Sequence, residues 1–287
     1  MSTSSCSLYI WLTFAHPSDM SFINKTGLSN RVIVSLPVKS NSLVRSTQFH
    51  SLMNIGDPVA FADMYGLTGA DELFLLNVSL SADNEVVTCD LVEQISQLSF
   101  APLAVGGGVR RLKDVELLLR AGADKVIINS SAAMNPGFML KCVDRFGSHR
   151  IVASIDYKFV NGSWEVFTHA GRRATGINLI SHACEMDRYG VGELMLTSID
   201  RVGTQTGFDV PMLNVITSLV SMPVIASGGF GFPHHAALAL IDGGASAVAI
   251  ASRLHQNHCS ITQIKYFLGR CGLLVRDDYI RLGLFDL

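Results

Sequence analysis

Residues 103–130 read Leu103-Ala-Val-Gly-Gly-Gly-Val-Arg-Arg-Leu-Lys-Asp-Val-Glu-Leu-Leu-Leu-Arg-Ala-Gly-Ala-Asp-Lys-Val-Ile-Ile-Asn-Ser130, and this stretch decides the fold. Leu103–Val105 is a short apolar run, the pattern of a strand buried on both faces. Leu112–Ala121 has the spacing of an amphipathic helix, and Gly122 and Asp124 mark its stop. Lys125–Asn129 is a second apolar run. A strand, a helix and a strand in succession predict a parallel βαβ unit.

The same alternation continues in both directions. Further strand-like runs are Val32–Leu36, Leu73–Val78, Ile151–Asp156, Leu194–Ser198, Pro223–Ala226 and Ala247–Ala251, with helix-like stretches such as His234–Ile241 between them. Eight strands alternating with helices over about 250 residues predict an α/β fold, a (β/α)₈ TIM barrel. A half-barrel internal repeat supports it. Glu72-Leu-Phe-Leu-Leu matches Glu193-Leu-Met-Leu-Thr, and Gly106-Gly-Gly matches Ser227-Gly-Gly, both at a lag of 121 residues. Asn129-Ser130 matches Ala251-Ser252 one residue further on. An open doubly wound sheet has no need of such a duplication.

The composition suits one large domain: 287 residues, 48% hydrophobic and 16% charged, with a formal net charge of −2. No block of Lys and Arg stands out, which argues against a nucleic-acid or membrane partner. The six cysteines are scattered without a CxxC pair, so neither a zinc site nor a disulfide framework is expected. Reduced thiols and the lack of a signal peptide predict a cytoplasmic protein. Residues 1–30 are read as an N-terminal extension outside the fold, with Met20 as an alternative start, and 31–287 as the single barrel. The apolar segment Leu8–Ala15 is too short to span a bilayer, and no Lys or Arg precedes Lys25. Of the nine histidines only His234-His235 are adjacent, a pair better suited to capping a helix than to holding a metal; no metal and no cofactor is expected.

The chemistry is expected in the turns after the strands. Gly107 and Gly108 follow the third strand, and Asn129 and Ser130 close the fourth. Gly228, Gly229, Ala251 and Ser252 repeat the arrangement in the second half. Glycine lets backbone N–H groups approach an anion closely, and hydroxyls add donors. Barrels place phosphates at these loops, so two such sets on one face predict a substrate with a phosphate at each end.

These residues belong to motifs that resemble the cyclase subunit (HisF) family of imidazole glycerol phosphate synthase. The matching segments include Gly56-Asp-Pro, Ala70-Asp-Glu-Leu, Val105-Gly-Gly-Gly-Val, Arg120-Ala-Gly-Ala-Asp-Lys-Val, Ser154-Ile-Asp, Glu193-Leu-Met-Leu-Thr-Ser-Ile-Asp-Arg, Gly203-Thr and Ile225-Ala-Ser-Gly-Gly. The resemblance runs from about Arg31 to Asp278. It implies a lyase/cyclase of histidine biosynthesis. Ammonia from a HisH-like glutaminase partner would act on a bis-phosphorylated aminoimidazole-carboxamide ribonucleotide. It also implies roles for single residues. Asp156 is one of two catalytic aspartates. Gly203 joins the phosphate site, and Arg45 and Thr197 belong to a substrate loop. Arg31, Glu72, Lys125 and Glu193 form an ammonia gate at the barrel base, and Asp124 contacts the partner. His169, Arg172 and Arg173 fall in a stretch over the active-site mouth.

The chain departs from that pattern on the catalytic face. The second aspartate should fall at Pro37, and proline transfers no proton. Asn77 and Val202 stand at two further aspartate positions, and Ala170 where a hydroxyl residue is usual. Two other readings therefore stay open: a paralogue that uses the ammonia to form an acetamidino sugar for surface polysaccharide, and a non-catalytic barrel that activates a glutaminase.

Overall fold

The computed structural model describes residues 29–79 and 88–276. Eight parallel strands close into a barrel: β1 (Arg31–Lys39), β4 (Glu72–Asn77), β5 (Leu103–Gly106), β6 (Lys125–Ile128), β7 (Ile151–Val160), β10 (Glu193–Ser198), β11 (Val224–Ser227) and β12 (Ala247–Ile250). They neighbour one another in that order; β12 returns to β1, and β10 pairs with β7. All eight expected strands are present.

Side-chain alternation sorts each strand into two faces. Odd residues of β1 and even residues of β4 point inward. Ile33, Phe74, Ala104, Ile127, Val152, Met195, Ile225, Ala247 and Ala249 pack as an interior cluster. The alternate residues, such as Val32, Val34, Leu73 and Leu75, pack against the surrounding helices. Those helices are α1 (Pro58–Leu67), α2 (Cys89–Leu98), α3 (Leu112–Arg120), α4 (Ser130–Met134), α5 (Pro136–Phe146), α6 (Leu179–Arg188), α7 (Val210–Leu219), α8 (Pro233–Ile241), α9 (Ser252–His255) and α10 (Ile261–Arg270). Local signals explain their starts. Asp57, Thr88, Asn178 and Ser260 cap α1, α2, α6 and α10 through their side chains. At α3 the Asp114 carboxylate accepts from the N–H groups of Arg110 and Arg111. No helix among the described residues is long and apolar enough to cross a membrane.

Two antiparallel hairpins extend the sheet beyond the eight expected runs. β2 (Ser42–Thr47) and β3 (His50–Gly56) grow from the end of β1. β8 (Ser163–Thr168) and β9 (Arg173–Asn178) grow from β7. They occupy equivalent places in the two halves, so the repeat seen in sequence extends to strands that sequence did not show. Asp156 therefore does not end its strand: β7 runs on to Val160 because β8 pairs with Asp156 through Val160.

Of the expected N-terminal extension, residues 1–28 lie outside the described residues. Asn30 already belongs to the barrel base. It bridges Val275, and its N–H donates to the Leu274 carbonyl at 2.7 Å. Beside it Asp71 accepts from the Val32 N–H (2.7 Å) and pairs with buried Lys265 of α10 at 2.6 Å.

Pro37 sits where the sheet requires nothing of its nitrogen. On the flank away from β4, β1 pairs with β12 as far as Val34 and with β2 from Val38 onward. In the gap the Ser35 carbonyl accepts instead from His255 Nε2 at 2.9 Å. Residues two apart face the same flank, so the missing N–H of Pro37 costs no ladder bond.

Candidate active site

The strands open at their C-terminal ends into a cavity of about 660 Å³. Inward alternation brings Asn129, Ser154, Asp156 and Thr197 to its wall, together with Ser35 and Pro37 from β1. Asp156 is buried, and burial pushes its carboxyl up to about 7, against the opposing effect of hydrogen bonds from Asn129 and Thr197. The Asn129 amide also reaches the Ser154 hydroxyl at 3.4 Å. An acid poised near neutrality can both donate and accept a proton there.

Two similar cradles flank Asp156. After β5, Gly107 and Gly108 have φ of +102° and +76°; after β11, Gly228 and Gly229 have +87° and +107°. A Cβ at Gly107 would run into the Asn77 carbonyl, and one at Gly229 into the Gly207 carbonyl, so both positions require glycine. Asn129 and Ala251 share an unusual backbone, with ψ of −91° and −90°, that turns the chain from strand into the short helices α4 and α9. Ser130 and Ser252 follow directly, and both line the cavity. Gly203 lies beneath the β2–β3 hairpin, 2.8 Å from the Ser46 carbonyl when extended by a Cβ. The expected phosphate-site residues thus all line this one cavity.

Charge points the same way. Among the described residues, Arg45, Arg110, Arg172 and Arg253 line the cavity with Asp156 as the carboxylate, in a chain of net charge −2. Such a concentration of cations favours an anionic ligand. Arg110 and Arg253 went unnoticed in the sequence because neither belongs to a motif. His169 also lines the cavity; its N–H donates to Ser130 Oγ at 3.1 Å, which ties the β8–β9 turn to α4. Burial and the neighbouring Arg173 and Arg110 lower its pKa, so it is neutral at pH 7. Arg45, expected with Thr197 in a substrate loop, lies on strand β2, and Thr197 is buried on β10 beside Asp156; both line the cavity.

At the opposite end, Arg31, Glu72, Lys125 and Glu193 form a closed ring. Arg31 Nη1 meets Glu72 Oε2 at 2.8 Å and its Nη2 meets Glu193 Oε1 at 2.7 Å. Lys125 Nζ lies 2.9 Å from both Glu72 Oε1 and Glu193 Oε2. Glu72 is 2% exposed, and burial raises its pKa despite Lys125. Asp124, beside the ring, is exposed and accepts from the Leu103 N–H at 2.7 Å. Among the described residues no group of three or more His, Cys, Asp or Glu is placed to hold a metal. His235 caps its helix, its Nδ1 accepting from the N–H groups of Gly231 (3.0 Å) and Phe232 (3.3 Å).

Comparison with known proteins agrees with this geometry. Residues 31–260 match the family described as histidine biosynthesis protein. The chain is 44% identical over 249 residues to the imidazole glycerol phosphate synthase subunit HisF of Hyphomonas neptunium, covering 87% of this chain and 99% of that protein. It is likewise 44% identical to the subunit of the same name from Myxococcus xanthus, covering 98% of that protein.

Proposed function

Because the chain belongs to the histidine biosynthesis protein family, we propose that it is the cyclase subunit of an imidazole glycerol phosphate synthase, a lyase. In this reading ammonia released by a glutaminase subunit docked at the barrel base passes the four-charge ring. It meets a bis-phosphorylated aminoimidazole-carboxamide ribonucleotide at the mouth. The observation that carries the reading is Asp156: a buried carboxyl near pKa 7 in a cavity that is also lined by two glycine-built cradles and four arginines. One cradle with Asn129 and Ser130 holds one phosphate, and the other with Ser252 holds the second. Asp156 then passes a proton to and from the substrate between them.

The sugar-amidating and non-catalytic readings gain nothing from the relatives, both of which are named as imidazole glycerol phosphate synthase subunits. Pro37 nevertheless bears on rate. It lines the cavity where the resemblance puts a second acid–base aspartate, so the proton work falls to Asp156 alone. Losing one such group costs about 10²–10⁴ in rate.

The test is turnover of the ribulosyl aminoimidazole-carboxamide nucleotide with excess ammonium salt. The native chain should turn it over slowly, Asp156→Asn should abolish turnover, and Pro37→Asp should raise it by about 10²–10⁴. A folded native chain with no turnover would overturn the proposal.

A further inference from the structure

The two halves of the barrel provide an internal control for Arg253. In the first half Ser131, one residue past Ser130, braces the glycine loop by donating from its hydroxyl to the Val109 carbonyl at 2.5 Å. In the second half Arg253, one residue past Ser252, braces the equivalent loop by donating from Nε to the Gly231 carbonyl at 3.0 Å. A hydroxyl suffices for that structural task, so the guanidinium carries a charge that bracing does not need. Its remaining fixed contacts include no carboxylate. Nη1 donates to Gln205 Oε1 (3.3 Å) and His258 Nδ1 (2.9 Å), and Cζ sits 5.2 Å over the Phe232 ring. Among the described residues no carboxylate forms an ion pair with Arg253 and Nη2 makes no hydrogen bond, yet the residue is half-buried in the cavity wall. A cation held without a carboxylate partner beside an anion cradle leaves its counter-charge to the ligand.

We propose that Arg253 is a phosphate-binding residue of the β11–β12 cradle. It sets the affinity for one end of the substrate, while Arg110 and Arg172 flank the other. This rests on the cyclase reading for the identity of the substrate, but not for the presence of an anion.

Binding of inorganic phosphate, followed by titration calorimetry, tests it on the native chain, Arg253→Gln and Arg253→Lys. The native chain should take up two phosphates. Arg253→Gln should weaken one of them by about 10- to 100-fold, the range of a charge-assisted hydrogen bond. Arg253→Lys, which keeps the charge but loses the fork, should recover most of it. The nucleotide KM should rise in Arg253→Gln with little change in kcat. Two phosphates held equally by native and Arg253→Gln protein would remove Arg253 from the site and leave the cyclase reading intact. Equal losses in the Gln and Lys variants, with a matching fall in thermal midpoint, would reduce Arg253 to a loop brace. A native chain that binds no phosphate would overturn the Arg253 site, whereas the cyclase reading stands or falls by nucleotide turnover.

Discussion

At Asp156 the burial that raises the carboxyl pKa works against stability. An unfolded carboxyl titrates near 3.8, and the folded one near 7 because it is buried. Between those values the folded chain holds a proton that the unfolded chain has lost, so stability falls as pH rises through that window. Asp156→Asn should therefore match the native chain below about pH 4. It should exceed native stability above about pH 7, by at most ~4 kcal/mol. Urea midpoints across that range would show it, and curves that stay parallel would mean that the burial is relieved some other way. His255 is the contrasting case. Burial, only partly offset by the Ser35 carbonyl, pushes it down to about 4, so it is neutral. Nε2 then donates to Ser35 O, and Nδ1 accepts from the Tyr65 hydroxyl at 2.9 Å. Nothing in the sequence singled out His255 or Arg253, since their roles depend on chain segments far apart in sequence. Asp156 was legible because it closes an apolar run within a recognisable motif.

Among the elements, the eight barrel strands were legible because both faces of each are covered, which leaves continuous apolar runs such as Leu103–Val105. The hairpins were not. Ser163–Thr168 and Arg173–Asn178 mix polar and apolar residues at the mouth. Their turns bend at residues other than glycine as well, including Gln48, Phe49, His169 and Ala170, all with positive φ. The C-terminal helix α10 was likewise silent about its tie to the barrel. Lys265 and Asp71 are each 6% exposed in their side chains and 2.6 Å apart. Lys265→Met would strand the Asp71 charge and should cost about 3–5 kcal/mol in urea unfolding. A cost below about 1 kcal/mol would show that the Val32 N–H alone satisfies that carboxylate. At the cradles, Gly229→Ala must displace the Gly207 backbone. It should destabilise the chain by about 1–3 kcal/mol and weaken phosphate binding in the same variant.

For the whole molecule, charge is arranged end to end. The base is closed by a ring whose four charges neutralise one another, whereas among the described residues the mouth gathers four arginines and one acid. The KM for a doubly phosphorylated substrate should therefore climb with ionic strength, because screening at about 0.1 M salt reaches within about 10 Å. A KM flat in potassium chloride would deny the mouth its attractive role. The gap along β1 has a different consequence. Between the last bond to β12 and the first to β2, the backbone nitrogen of position 37 has no ladder partner to meet, so even an imino acid is accommodated there. In this barrel the side chain at that strand tip is thus exchangeable without disturbing the ladder that holds the scaffold.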